Sequence, residues 1–191
     1  APRPVEARPR LDPAKKAAAQ KLLQQGITQY QNGNYKEAIA LYRKAYALYP
    51  SPKLYANIGT CYKYMGQDLK ALEYYEKFLA ATATGPQSPA TSMLRKQVQK
   101  EIALLMRHIA RLRLVVKVPN AVVKVAGLTR GVSPMDKWLR MKPGWVNVTV
   151  KKAGHYSFDR SLVLEGGKKT VVRVLLLRKI QPKVVVKMIP C

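Results

Sequence analysis

The chain has 191 residues, with 35 lysines and arginines against 10 aspartates and glutamates, a formal net charge of +25. Such an excess costs self-repulsion and points to an anionic partner, the alternative being a basic surface that serves solubility alone. No apolar run approaches the roughly 20 residues of a membrane span; VLLL at 174–177 is strand-sized. The charge is uneven, +7 over residues 1–85 and +18 over residues 86–191.

Two cysteines, Cys61 and Cys191, are too few for a disulfide framework and lack metal-site spacing. Cys191 either bridges to a neighbouring chain or stays a free thiol. The sequence opens at Ala1 rather than Met. Removal of a signal peptide is one explanation and trimming the other. The first places the protein outside the cytoplasm, extracellular or periplasmic in a bacterial envelope.

Residues 1–13 combine Pro2, Pro4, Pro9 and Pro13 with Arg3, Arg8 and Arg10, an expected extended basic arm that cannot bury a core. Helical periodicity begins at Pro13 or Ala14, with Asp12 as N-cap, and extends to Tyr49 with one break at NGN. A self-comparison then shows a repeat. Gly26, Gly33, Ala38 and Tyr42 return 33 residues later as Gly59, Gly66, Ala71 and Tyr75, and NGNYKEAIALYRKA is echoed by MGQDLKALEYYEKF. After a Gly/Pro break at 82–92, a third helix is expected over 88–110, its buried stripe being Leu94, Val98, Ile102, Leu105 and Ile109.

The repeat resembles the tetratricopeptide repeat, a helix–turn–helix unit whose small residues let paired helices approach and whose large side chains fill the gaps. Gly26/Gly59 and Ala38/Ala71 take the first role, Tyr42/Tyr75 the second, and Pro50 ends the first unit. Gln25, Gln29 and Phe78 depart from the usual residue types. The resemblance implies a concave protein-binding groove lined by the first helix of each repeat. By the family's spacing its residues are Leu23, Ile27, Tyr30, Lys53, Ala56, Thr60, Lys63 and Tyr64. That lining lacks the lysine–asparagine pairing of a C-terminal-carboxylate clamp, so an apolar protein segment suits it better. The groove is equally open to being filled from within, by the basic arm or by the third helix.

After Arg111 the period falls to 2. LRLVVKV, AVVKVAG, WLRMKPG, WVNVTVKKAG, FDRSLVLEGG, KKTVVRVLLL and KVVVKMI are short β-rich runs between Gly/Pro turns, the pattern of an antiparallel sandwich or open barrel. In MKPGWVNVTVKKAGHYSF (141–158), Val146, Val148 and Val150 form the core face, with Trp145, Asn147, Thr149 and Lys151 on the other. PNAVVKVAG (119–127), GVSP (131–134), LRMKPGWVNVTVKKAGHY (139–156) and LVLEGGKKTVVRVLL (162–176) together resemble the PEGA domain, a small β-domain of bacterial envelope proteins. The name-giving motif reads PNA here, and Ala126 stands where an aspartate is common. The expected class is α+β: an arm (1–13), a tetratricopeptide-type helical domain with its capping helix (14–111), a PEGA-like β-sandwich (112–177) and an extension (178–191).

No chemistry of an enzyme is written in the sequence. The β half holds only Asp136, Asp159 and Glu165 as acids. His108 and His155 lack partners at metal or triad spacing, and the glycines at 166–167 join two strands. Neither a cofactor, a metal nor a small-molecule substrate is expected. Charge is the functional signal. Lys117, Lys124, Arg130, Lys137, Arg140, Lys142, Lys151, Lys152, Lys168, Lys169, Arg173, Arg178 and Lys179, with Arg160, spread over strands and turns. They suit non-specific contact with DNA, RNA or an anionic envelope glycan, without an element for reading sequence. Lys183, Val184, Val185, Val186, Lys187, Met188 and Ile189 form a last strand, which either closes this chain's own sheet or joins the edge of a neighbour's in open-ended assembly. The leading expectation is an exported, non-enzymatic scaffold that binds copies of itself or partner proteins and a polyanion. The alternative is an adaptor holding a partner peptide within an envelope or secretion machine.

Overall fold

A computed structural model of the protein describes residues 12–84 and 88–179. Most of the arm, the last strand Lys183–Ile189 and Cys191 lie outside the described residues. The chain divides into two compact units, Ala1–Met106 and Arg107–Cys191.

The first unit has five helices, α1 (Pro13–Gln31), α2 (Tyr35–Leu48), α3 (Pro52–Tyr64), α4 (Asp68–Ala81) and α5 (Pro89–His108). Helix α1 starts where its sequence predicts: Pro13 supplies a fixed φ at the first position and Asp12 Oδ1 accepts the Ala14 N–H at 2.9 Å. The two hairpins turn in the same way. Gly33 and Gly66 adopt φ of +79° and +65°, and the next residues reach back, Asn34 N–H to Gln29 O and Gln67 N–H to Tyr62 O, both 2.9 Å. This is the Schellman closure, which needs a left-handed residue that glycine adopts without cost. The hairpins are zipped by the repeated pair. A Cβ on Gly26 would stand 2.5 Å from Tyr42 Cε1, and one on Gly59 2.6 Å from Tyr75 Cδ1. Ala38, Ala45, Ala71 and Phe78 are fully buried, so the large Phe78 in a position usually held by alanine fills core space.

The second unit has seven strands, β1 (Ala110–Val116), β2 (Val122–Val125), β3 (Leu128–Val132), β4 (Leu139–Met141), β5 (Gly144–Lys151), β6 (Phe158–Leu164) and β7 (Lys169–Val174). They form two sheets, in the orders β4-β1-β7 and β3-β2-β5-β6. Leu112 and Leu114 of β1, Val123 and Val125 of β2, Val146, Val148 and Val150 of β5, Leu164 of β6 and Val172 and Val174 of β7 share one apolar cluster. The two inner faces therefore make the sandwich core, and strict alternation along β1 and β5 follows from burying one face.

Two features lie beyond the period-2 reading. Strand β3 is not singled out by alternation, because its LTRGV is held by hairpin pairing to β2 and carries a register shift there. And β1 pairs with β7 in parallel, whereas every other pair is antiparallel. The chain leaves β6 in one sheet and enters β7 in the other, and Arg111 N–H donates to Lys168 O at 3.0 Å where β7 begins. The third helix is also shorter than expected; it stops at His108, and Ile109 is already buried at the approach to β1.

Candidate functional site

The groove of the helical unit is built by α1 and α3, whose side chains project between the repeats. The structure places the eight sequence-expected groove residues in two recesses. Tyr30, Ala56, Thr60, Lys63 and Tyr64 line one of about 290 Å³, and Leu23, Ile27 and Lys53 line another of about 320 Å³. Helix α5 borders both: Leu94 belongs to each lining, and Gln97, Val98 and Glu101 add to the first. Of the two ways of filling the groove from within, the structure therefore places the third helix along it.

Two side chains of α5, Arg95 and Glu101, hold it in that position. Arg95 Nη1 donates to Leu79 O at 2.8 Å and to Thr82 Oγ1, capping the end of α4, and Lys63 Nζ meets Glu101 Oε2 at 3.0 Å. The recesses differ in chemistry. The first is walled by phenols: the rings of Tyr35 and Tyr64 stack at 5.5 Å with Tyr30 edge-on to Tyr64, and Thr60 Oγ1 lies 3.1 Å from the Tyr75 hydroxyl. Burial, reinforced by the hydrogen-bonded Tyr64, raises the Tyr30 phenol well above its ordinary value. Burial also pushes Tyr42 and Tyr75 up to about 12 and the enclosed Cys61 thiol up to about 11. These groups stay neutral at physiological pH and offer hydrogen bonds and ring faces, not nucleophiles. The second recess, with Leu23, Ile27, Leu54 and Leu94, is apolar and suits an aliphatic or aromatic side chain.

In the β unit the sequence-expected cations do not form one cluster. Lys124 and Lys151 lie on the outward face of the four-stranded sheet, in register with Thr149 and Val122. Other polar side chains of that face are paired with one another. Thr149 Oγ1 donates to Asp159 Oδ1 and Ser161 Oγ to Asn147 Oδ1, each at 2.7 Å, and the Thr149 and Ser157 bonds hold the Asp159 carboxyl below its ordinary range. Lys117, Lys137, Lys142, Lys152, Lys168, Arg178 and Lys179 sit in turns and connections, and Arg130 on β3 and Arg160 on β6. Several are engaged: Lys152 Nζ donates to Pro119 O at 2.7 Å, Lys168 pairs with Glu165 at 2.6 Å and Lys179 rests 5.8 Å from the Tyr156 ring. His155, bridged to Arg178, brings its Nδ1 to 3.0 Å from Ala153 O, a turn contact.

Arg140, Lys169 and Arg173 share the outward face of the three-stranded sheet with two arginines that the sequence survey of cations passed over, Arg111 and Arg113. Pairing sets Arg140 opposite Arg111 and Arg111 beside Lys169, a row of three cations across three strands. Arg113 and Arg173 follow on the same face, Arg113 bridged to Asp136 and Arg111 Nη2 donating to Gly167 O at 2.9 Å. Lys169 Nζ stands 5.7 Å from the centre of the Trp138 ring. The signal for these arginines was present in ARLRLVV, where each alternates with a buried leucine.

Among the described residues no cluster of histidine, cysteine, aspartate or glutamate could hold a metal ion, and no helix is long and apolar enough to cross a membrane. Comparison with curated proteins gives no match. Among solved structures, the chain is similar to the Yersinia enterocolitica type III secretion chaperone SycD in complex with a peptide of the translocator YopD. That match has 18% identity and a TM-score of 0.37, covering 49% of this chain and 72% of the other. An alternative dimer of SycD matches at 19% identity and a TM-score of 0.38, covering 50% and 73%. Two matches to the tetratricopeptide repeat family run end to end, over residues 19–52 and 52–83. Residues 19–83 thus match two consecutive tetratricopeptide repeats.

Proposed function

We propose that the protein is a non-enzymatic binding module, exported to the bacterial envelope or beyond, in which the repeat pair takes a segment of a partner protein and the basic β unit contacts a polyanion. The observation that carries the protein-binding half is the apolar recess beside α5. Leu23, Ile27, Leu54 and Leu94 surround about 320 Å³ open to solvent, room for one or two large side chains of an incoming segment. Because α5 borders both recesses, the segment contacts the groove beside α5 unless Arg95 and Glu101 release the helix. A photo-crosslinker at Ile27 should yield one defined protein adduct, lost when Leu23 is replaced by Asp. Crosslinks confined to the chain itself would refute this reading.

The β unit is read as PEGA-like. Support comes from the order of its motifs and from turn glycines at positive φ, Gly127 (+76°), Gly144 (+124°) and Gly154 (+72°), at the places where that family turns. The polyanion reading rests on +18 over residues 86–191. Self-assembly through Lys183–Ile189 is part of the same proposal; a chain lacking residues 181–191 with unchanged oligomeric mass would remove it.

A further inference from the structure

The two outward faces of the sandwich are unequal, and the difference locates the anion contact. On the four-stranded sheet, polar side chains are satisfied by one another across strands. On the three-stranded sheet, Arg140, Arg111 and Lys169 stand side by side, followed by Arg113 and Arg173, with Asp136 bridged to Arg113. Like charges directly opposite on neighbouring strands destabilise a sheet. Arg111 adds a further cost, its Nε being buried without a partner in this structure. Cations set side by side in this way suit an anion that bridges them.

We propose that this face binds single-stranded nucleic acid, with Arg111, Lys169 and Arg173 on successive phosphates and the Trp138 ring receiving a base. The proposal rests on the polyanion reading above and narrows it to one face and one ligand. Charge excludes a second copy of the chain, which is itself at +25. A duplex groove is read by a protruding helix or ribbon, whereas this surface is three strands wide and carries neither. Same-face positions repeat about every 6.7 Å along a strand and about 4.8 Å between strands, which brings several cations under one extended backbone. Arginine forks match phosphate oxygens bidentately. Trp138, about one third exposed and flanked by Lys169, completes the pairing of a cationic track with an aromatic platform that single-strand binders use.

The test is anisotropy titration of the full chain with labelled oligothymidine across a salt series, with heparin as a polyanion that lacks bases. Arg111→Gln/Lys169→Gln/Arg173→Gln should weaken oligothymidine binding at least about tenfold and make the log–log salt slope shallower by about 2. Lys124→Gln/Lys151→Gln, on the other outward face, should change affinity by less than about threefold. Trp138→Ala should cost about tenfold for oligothymidine and leave heparin unaffected. Melting curves of each variant identify loss of fold. Equal losses from both faces, or a Trp138→Ala effect shared by heparin, would overturn the assignment. Wild-type binding of heparin without oligothymidine would overturn it while leaving the broader polyanion reading intact. Failure of the wild type to bind either would remove both.

Discussion

The two units of this chain treat positive charge in opposite ways. In the helical unit, cations are absorbed by the molecule itself. Arg43 reaches the hydroxyls of Tyr62 and Tyr74, both at 3.0 Å, Lys77 meets Glu73 at 2.6 Å, Lys63 meets Glu101, and Lys70 rests 5.2 Å from the Tyr62 ring. Ten of the eleven tyrosines lie in this unit and make most of those contacts possible. In the β unit, the outward face of the three-stranded sheet sets cations against cations. The lesson is that net charge does not locate a binding surface. What locates it is cations that strand order sets side by side.

That contrast can be broken at several places. Gly59→Leu should have the largest effect, because its side chain would enter the space of the Tyr75 ring, already 2.6 Å from a Cβ. We expect a loss of about 3 kcal/mol in chemical denaturation, by overpacking of a filled site. Alkaline titration comes next. Tyr42 and Tyr75 are raised from 10.0 to about 12 and Cys61 from 9.0 to about 11, so the fold favours their neutral forms. Their contribution is intact below pH 9 and is lost as pH climbs through 11 to 12, and helical circular dichroism should collapse in that window. Arg43→Ala should then cost about 1 kcal/mol, since it removes charge-assisted bonds from a mostly exposed site, whereas Lys169→Gln, which relieves the like charge beside Arg111, should leave stability unchanged or slightly raised. If both cations proved equally stabilising, the contrast between the units would fail. The smallest effect is expected at the β2–β3 turn. Ala126 and Gly127 both have positive φ, +52° and +76°, a conformation that asparagine tolerates better than alanine. Ala126→Asn should raise the melting temperature by an increment worth about 0.5–1 kcal/mol.

Much of the helical unit was legible because its determinants are local. Asp12 and Pro13 announce a helix start, and a 33-residue echo of Gly, Ala and Tyr announces a repeat before any contact is known. The groove positions follow from that register. What could not be read was which element lies over the groove, since Leu94 reaches both recesses through tertiary packing alone. In the β unit, alternation indicates which residues face inward but not which strands are neighbours. Arg140, Arg111 and Lys169 come from three separated segments, and only strand order makes them adjacent. Lys152 and Lys168, equally prominent in the sequence, are already engaged in their turns. Arg111 sits on the boundary between helical and period-2 patterning, where the sequence pattern alone assigns it to no face.

The parallel pairing of β1 with β7 also bears on how the β unit comes into being. Strand β1 is the first of the seven to be synthesised, and β7 the last. Arg111 reaches Gly167, 56 positions later, and between them the other five strands must be laid down. Contacts this distant along the chain carry a high loop-closure cost and form slowly. Until β7 docks, β1 has one edge open, and of the cations on that face Lys169 and Arg173 are not yet in place. A nascent chain halted before residue 169 would therefore have a free strand edge and an incomplete cationic face, so this surface matures only as the last strand closes the sheet.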